Sequence, residues 1–359
     1  MKHQLELKLG RVVAGILALA LLCGSALASD FNDPGNIVIA DQFNNRVIEI
    51  DPRTHRVVWQ FGDGSDQPGP HSIVGTNDAE RFGTYTLISG TGIPASNPPL
   101  PGCSTPATGC ADNRVFIVNR AGRIVWQYGQ AGVTGSGPNE LNTPVQALVV
   151  TDFPGHEGFH VLITDQGNAR IVLVNLEHQI VWQYGTTGVP GLGPNLLNNP
   201  NSAELLTNRH VLIADENNNR AIEISVGGQL LRQFTAGGTT SGVAFASRLP
   251  DGNTLITDSN NNRIIEVNRA DVIVWKYDTN TDPNSNPAPL PTRAVRLANG
   301  NTLISDQFND RVIAVTPAKQ IVFRQGALNA PGNGFDQLNG PYDAKVVGDF
   351  TGLTQPFED

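Results

Sequence analysis

The sequence has 359 residues, a formal net charge of −9 and a charged fraction of 16%. Its 24 lysines and arginines are outnumbered by 33 aspartates and glutamates, so nucleic acid and acidic membrane surfaces would be repelled rather than bound. Length alone is compatible with either one domain or two.

The first 28 residues have the pattern of a secretory signal peptide. Lys2, Lys8 and Arg11 precede an apolar run over residues 12–22, and small residues follow as far as Ala28. This run is much shorter than the roughly 20 residues that a transmembrane helix needs. We therefore predict cleavage after Ala28, a secreted or periplasmic location, and no transmembrane segment after cleavage.

Cleavage would leave Cys103 and Cys110 as the cysteines of the mature chain. Two cysteines in an exported protein most simply form one disulfide. Lipidation of Cys23 is a minor alternative, because Leu22 stands where lipidation signals usually carry a small residue. Cleavage would also remove three basic residues and one acidic residue, which takes the net charge from −9 to −11.

A hairpin pattern recurs along the rest of the chain. Each copy has a β-branched run, a polar turn of the form D-x-x-N-x-R and a second run with alternating apolar residues, which predicts two antiparallel strands. The clearest copies are IVIADQFNNRVIEID (37–51), VLITDQGNARIVLVN (161–175), VLIADENNNRAIEIS (211–225), TLITDSNNNRIIEVN (254–268) and TLISDQFNDRVIAVT (302–316).

Another strand-like run follows each hairpin, such as VVWQFG from Val57 and IVWQYG from Ile124. There are six of these runs, so a sixth hairpin is expected. We place it in the second repeat of the chain, where an insertion over residues 90–111 that carries both cysteines separates its two strands. The turn arginines then recur every 43 to 68 residues, which fits four-stranded propeller blades; they are Arg46, Arg114, Arg170, Arg220, Arg263 and Arg311.

An alanine shortly before each hairpin marks the innermost strand of each blade, because a small residue suits the crowded central axis. These alanines are Ala79, Ala147, Ala203, Ala244, Ala294 and Ala344. The last has no hairpin after it, and the first hairpin has no inner strand before it. The two chain ends are therefore predicted to share a blade and close the ring. The expected fold is all-β: a single six-bladed propeller over residues 29–359.

The D-x-x-N-x-R turn, together with the connections between blades, resembles NHL-repeat propellers over residues 36–350. Such connections are GSGPNELNTP (135–144), GLGPNLLNNP (191–200) and GNGFDQLNGP (332–341). The WQYG runs are more weakly similar to arylsulfotransferase-like and quinoprotein-like propeller repeats. The resemblance implies the fold, but the NHL family includes scaffolds, binding proteins, lyases and hydrolases, so it implies no single activity.

One face of the predicted propeller carries the long loops. The D-x-x-N-x-R turns, the connections between blades and the insertion over residues 90–111 all fall on it, and we call it the loop face. Long loops on a rigid scaffold are where binding usually resides, so the loop face is the candidate site. The insertion is interpreted either as a disulfide-pinned lid or as a tolerated surface loop.

Features that recur in every blade are interpreted as structural. The turn aspartates, such as Asp41 and Asp165, are expected to cap their own turns rather than bind calcium, and the turn arginines to pair with a neighbouring blade. Trp59 and its equivalents on the outer strands are expected to pack between blades rather than stack on sugars.

Differences between blades are more informative, and the residue before each inner alanine varies. Asp78, Gln146, Arg293 and Asp343 are expected near the mouth of the central channel, together with Ser202 and Val243. Asp343, Asp78 and Arg293 fall on adjacent blades. Two interpretations remain open: Asp78 and Asp343 hold a hard cation such as Ca²⁺ as a cofactor, or the three residues form a salt-bridged channel lining.

His71 is the one histidine expected on the loop face, where it is either solvated or able to act as a base near neutral pH. The other histidines of the blades fall on the opposite face, which argues against the zinc-dependent amidating lyases of the family. No G-x-S-x-G or H-E-x-x-H motif occurs where its mechanism would need it.

These observations favour a non-catalytic binding or scaffold protein that engages a protein or glycan partner through the loop face. The alternative is a divalent-cation-dependent lyase or hydrolase that uses Asp78, Asp343, His71 and Arg293 at the channel mouth. A third interpretation is an exported structural protein without a specific ligand.

Overall fold

The computed structural model describes residues 30–356, and the predicted signal peptide lies outside them. Six four-stranded antiparallel sheets form the blades of a β-propeller. From the axis outward, blade one is β24 (Pro341–Val346), β1 (Ile37–Asp41), β2 (Arg46–Asp51) and β3 (Arg56–Phe61). Blade two is β4 (Thr76–Phe82), β5 (Tyr85–Gly90), β6 (Arg114–Asn119) and β7 (Ile124–Tyr128). Blade three is β8 (Pro144–Phe153), β9 (His156–Asp165), β10 (Arg170–Asn175) and β11 (Ile180–Tyr184).

The other three blades follow the same order. Blade four is β12 (Pro200–Leu205), β13 (His210–Asp215), β14 (Arg220–Ser225) and β15 (Leu230–Phe234). Blade five is β16 (Val243–Arg248), β17 (Thr254–Asp258), β18 (Arg263–Val267) and β19 (Ile273–Asp278). Blade six is β20 (Arg293–Arg296), β21 (Thr302–Asp306), β22 (Arg311–Val315) and β23 (Ile321–Gln325). No helix within residues 30–356 has the length and apolarity that crossing a bilayer requires.

The predicted ring closure is confirmed. The C-terminal β24 pairs antiparallel with β1, and Ala344 lies opposite Ile39. Each of the six marker alanines lies in the innermost strand of its blade. Closure leaves no unpaired inner strand at either end of the described chain. Blade one therefore holds the two ends together and closes the ring.

The D-x-x-N-x-R turns have a repeated structural role. In blade one, Asp41 Oδ2 accepts hydrogen bonds from Arg46 Nε and Asn44 Nδ2, both at 2.7 Å, and its Oδ1 accepts one from the Asn339 amide at 2.8 Å. The same Asp–Arg contact recurs at 2.6–2.8 Å in blades three to six. Each arginine thus pairs with an aspartate of its own turn. Arg46 also donates to two carbonyl oxygens of the connection from blade six, at 3.2 and 3.3 Å, so the expected contact with a neighbouring blade is present as well.

Apolar side chains fill the spaces between blades. One buried cluster joins blades three and four and includes Leu162, Ile171 and Ile213. The outer-strand tryptophans reinforce these contacts, because each indole N–H donates to a carbonyl of the next blade. Trp182 Nε1, for example, donates to the Val226 oxygen at 2.7 Å. This geometry supports the packing interpretation of the tryptophans.

Candidate binding cavity on the loop face

A cavity of about 560 Å³ opens on the loop face at the mouth of the central channel. Its walls come from the turns of blades one, three and six, the insertion of blade two and the starts of inner strands. The volume lies within the range of about 300–1,000 Å³ that is typical of small-molecule sites. The candidate face therefore carries a concave site.

Amide side chains dominate the polar lining of this cavity. They are Gln42, Asn77, Asn113, Asn142, Gln166 and Gln307. Threonine hydroxyls add to them at positions 91, 108, 134 and 143. As far as the described chain goes, the lining residues include no Lys, Arg, Asp, Glu or His. The cavity surface is therefore polar and uncharged.

Three of the amides form a relay. Gln307 Nε2 donates to Gln42 Oε1 at 2.6 Å, and Gln42 Nε2 donates to Asn77 Oδ1 at 2.7 Å. These side chains belong to blades six, one and two, so the relay follows the rim of the channel across three blades. Its members are only 5–7% exposed, which holds them in fixed positions.

Two phenylalanines stand beside the relay at equivalent turn positions of adjacent blades. The rings of Phe43 and Phe308 are 6.1 Å apart and inclined by 30°. The turns of blades three, four and five carry Gly167, Asn217 and Asn260 at the same position. The aromatic pair therefore distinguishes blades one and six from the others. Within residues 30–356, phenylalanine occupies this turn position only in turns that line the cavity.

The insertion over residues 90–111 forms one wall of the cavity, and the predicted Cys103–Cys110 disulfide is confirmed. Asn45 Nδ2 of blade one donates to the Gly102 oxygen at 2.8 Å. Gly102 has φ +77°, and an added Cβ would lie 2.5 Å from the Phe43 oxygen, so this close approach requires glycine. The insertion is therefore a packed wall.

Below the cavity, the carboxylates of Asp78 and Asp343 contact a common lysine. Lys345 Nζ lies 2.6 Å from Asp78 Oδ1 and 2.6 Å from Asp343 Oδ2. All three side chains are buried. A divalent cation at this pair would have to displace the ammonium group, so the residues do not fit the calcium site considered from the sequence. Within the described residues, no group of three or more His, Cys, Asp or Glu side chains is arranged to hold a metal ion.

The side chains before the inner alanines connect neighbouring blades. Asp343 Oδ2 accepts a hydrogen bond from the Ala79 amide at 3.3 Å, and Asp78 Oδ2 accepts one from the Ala147 amide at 3.2 Å. Gln146 Oε1 accepts one from Ala203 at 2.7 Å. Each side chain thus pairs an inner-strand N–H of the next blade. This ladder supports the channel-lining interpretation.

Arg293 directs its hydrogen bonds toward blades three to five rather than to those carboxylates, although its charge acts to lower the pKa of Asp78. Its guanidinium donates to Asn201 Oδ1 at 2.9 Å and to the Ala244 oxygen at 3.1 Å. The rings of Phe245 and Tyr342 lie 5.3 and 5.0 Å from its central carbon. Arg293 therefore ties several blades together. His71 is exposed in the link between β3 and β4 and is absent from the cavity lining.

The C-terminal segment packs on the face opposite the loop face. After β24 in blade one, the chain reaches blade four, where the Thr354 amide and Oγ1 donate to Glu204 Oε2 at 2.7 and 2.6 Å. The Leu205 amide in turn donates to Thr354 Oγ1 at 2.9 Å. Between these two blades the segment also contacts blades six and five. It therefore joins four blades on the face opposite the loop face.

Burial sets the protonation of the channel carboxyls. It raises the pKa of Asp78 to about 7, against the opposing charge of Lys345. Burial also raises the pKa of Glu80 and of Glu204. Although burial alone would lower the pKa of Lys345, the carboxylates of Asp343, Asp78 and Glu80 raise it above its ordinary value.

Sequence reasoning did not identify Lys345 or the amide relay as parts of the site. Lys345 is 267 positions from Asp78, and only ring closure brings the two together. The sequence does distinguish the turns that carry Gln42, Gln307 and the two phenylalanines. Blades one and six have the turn sequence DQFN, whereas the turns of blades three, four and five have DQGN, DENN and DSNN. Comparing the turns position by position would have found them.

Comparison with solved structures shows the same fold at low sequence identity. A protein of unknown function from Bacteroides caccae is 14% identical, covers 81% of this chain and 93% of its own, and has a TM-score of 0.52. A virginiamycin B lyase from Staphylococcus aureus is 14% identical over 82% of this chain and 84% of its own, with a TM-score of 0.47. A streptogramin B lyase is 12% identical over 84% and 87%, with a TM-score of 0.49. No protein-family model and no curated protein matches this chain. Identities this low show the propeller fold alone.

Proposed function

We propose that this protein is an exported, non-catalytic propeller of the NHL-repeat type that binds its ligand in the loop-face cavity. The observation that carries the proposal is the cavity itself, which opens on the loop face and is lined by uncharged polar and aromatic side chains. Such a surface can hold a ligand by hydrogen bonds and ring contacts. None of the described lining residues carries a carboxylate, imidazole or ammonium group that could act as a general acid or base. Glu216, which accepts a hydrogen bond from the lining residue Gln166, is also paired with Asn199 and Asn201.

The titratable groups beneath the cavity also favour binding over chemistry. Lys345 is paired with two carboxylates, and Glu204 accepts hydrogen bonds from Thr354. Arg293 is held by backbone and amide oxygens. These groups are already paired within the propeller, so they would not be available to a substrate in the cavity as catalytic acids or bases.

Export and family membership rest on the sequence pattern together with the disulfide. A disulfide indicates an oxidising compartment. The predicted signal peptide narrows that compartment to the periplasm or the cell exterior. The recurring D-x-x-N-x-R turns and connections between blades support the NHL type. A protein or glycan that presents a small uncharged group to the cavity is the expected partner, and nucleic acid is not.

Thermal unfolding with a ligand panel tests this function. Saccharides and short peptides would be screened for stabilisation, since a ligand at 100 times its dissociation constant adds about 2.7 kcal/mol. We expect Phe308→Ala to weaken the stabilising ligand at least tenfold, and Asn260→Ala, at the equivalent turn position of blade five, to leave it unchanged. Mass spectrometry should recover the ligand intact. Conversion of the ligand, or equal binding by Phe308→Ala, would overturn the proposal.

A further inference from the structure

The amide relay ends in groups that have no protein partner among the described residues. Its internal bonds use Gln307 Nε2, both polar groups of Gln42 and Asn77 Oδ1. Asn77 Nδ2 remains as a donor at one end, and Gln307 Oε1 remains as an acceptor at the other. Both residues line the cavity although they are only 5% and 7% exposed. Both groups lie at the cavity surface, where a ligand can form hydrogen bonds with them in place of water.

We infer that this ligand is an uncharged carbohydrate, an inference that rests on the proposed binding function. A sugar hydroxyl both donates and accepts, so adjacent hydroxyls can use the Gln307 acceptor and the Asn77 donor together. Gln166 and Asn142 add amides on the blade-three side of the cavity. The relay fixes these groups in advance, which lowers the entropic cost of binding.

The aromatic pair fits the less polar part of the same ligand. Phe308 is half-buried and Phe43 is buried behind it, so the pair presents ring surface at the cavity wall. Pyranose rings carry C–H groups on their faces, and an aromatic side chain can contact these while the amides bond the hydroxyls. Leu100 and Ile93 of the insertion extend this apolar wall.

The lack of charge in the lining selects against other ligand classes. A carboxylate, sulfate or ammonium group would lose its hydration without meeting an opposite charge. An extended peptide that adds to the edge of a sheet needs unpaired strand backbone, and this cavity is made of turns and strand starts instead. A neutral saccharide of a few sugar units is the ligand that satisfies both the amides and the rings.

Calorimetric titration of the complete propeller, without the predicted signal peptide, tests the inference with three sets of probe ligands. One set holds di- to tetrasaccharides of uncharged hexoses and N-acetylhexosamines, the second holds saccharides of the same size bearing uronate or sulfate, and the third holds uncharged tripeptides. We expect binding from the first set alone. Asn77→Asp, which keeps the side-chain shape but removes the donors, should weaken that binding at least tenfold.

Asn217→Asp is the matched control, because Asn217 is an exposed amide in the blade-four turn outside the cavity lining. If Asn77→Asp does not fold, Phe308→Ala supplies the same comparison from a half-buried position. Binding of charged saccharides or peptides that Phe308→Ala weakens would overturn the carbohydrate inference and leave the binding function intact. Absence of binding in all three sets, or binding that no cavity variant changes, would overturn both.

Discussion

At the scale of single residues, Asp78 shows how the channel combines charge with burial. Its carboxyl group is fully buried, contacts Lys345 Nζ and accepts a hydrogen bond from the Ala147 amide. A buried pair of this kind contributes little net stability by itself, because desolvation offsets the Coulomb attraction. Its value lies in geometry, since it joins inner strands of blades one, two and three at one point.

The raised pKa of Asp78 predicts a pH-dependent stability. Between the ordinary aspartate value near 4 and about 7, the folded protein keeps a proton that the unfolded chain has lost. Unfolding free energy should therefore fall as pH rises through this range, by up to about 1.4 kcal/mol per pH unit for one such group. Glu80 and Glu204, whose pKa values are also raised, act in the same direction.

Urea unfolding of wild type and Asp78→Asn between pH 4.5 and 7.5 checks this expectation. The slope of stability against pH is the readout, and Asp78→Asn should make it shallower by up to one proton. Glu177→Gln, which removes an exposed carboxyl group, should leave the slope unchanged. A stability that rises from pH 4.5 to 7, or an equal slope in Asp78→Asn, would contradict the assignment.

At the scale of elements, the repeats made the blades predictable. A period of two on either side of a polar turn specifies a hairpin, and the repetition of Asp41 and its equivalents fixes the register of each one. The cavity was less predictable, because it depends on residues that vary at repeated positions, such as Phe43 and Phe308. The ion-pair partner of Asp78 could not be predicted from the sequence, because Lys345 becomes its neighbour only through ring closure.

The insertion of blade two is an element whose order depends on its disulfide. Cys103 and Cys110 are seven positions apart, and a bridge that closes so short a loop restrains local structure by about 2–3 kcal/mol. The insertion packs on the loop face and outside the central sheets. Removal of the bridge should therefore loosen this wall without unfolding the propeller.

Limited proteolysis of Cys103→Ser/Cys110→Ser measures this effect. We expect faster cleavage within residues 90–111, located by mass spectrometry, while urea unfolding stays cooperative and its free energy falls by no more than about 2–3 kcal/mol. Ala107→Ser, an exposed change in the same segment, should resemble wild type. Cooperative loss of the whole fold in the double variant would mean that the insertion is part of the core.

At the scale of the whole molecule, the C-terminal residues perform two separable tasks. Strand β24 completes blade one, where Ala344 and Val346 pair with Ile39 and Ile37. The segment after it reaches blade four, where Thr354 donates a hydrogen bond to Glu204. The first task closes the ring, and the second ties the C-terminal segment to the far side of the ring. Their contributions to stability should therefore differ greatly.

Two truncations and one substitution separate these tasks. Ending the chain after Gly340 removes β24 and exposes the edge of β1, so we expect aggregation and no cooperative unfolding. Ending it after Phe350 should keep a folded protein that is less stable by about 1–3 kcal/mol, because buried Glu204 loses both hydrogen bonds from Thr354. Thr354→Val removes the hydroxyl alone and should account for much of that loss. Size-exclusion chromatography and urea unfolding distinguish these cases, and a cooperative fold in the shorter chain would show that ring closure is dispensable.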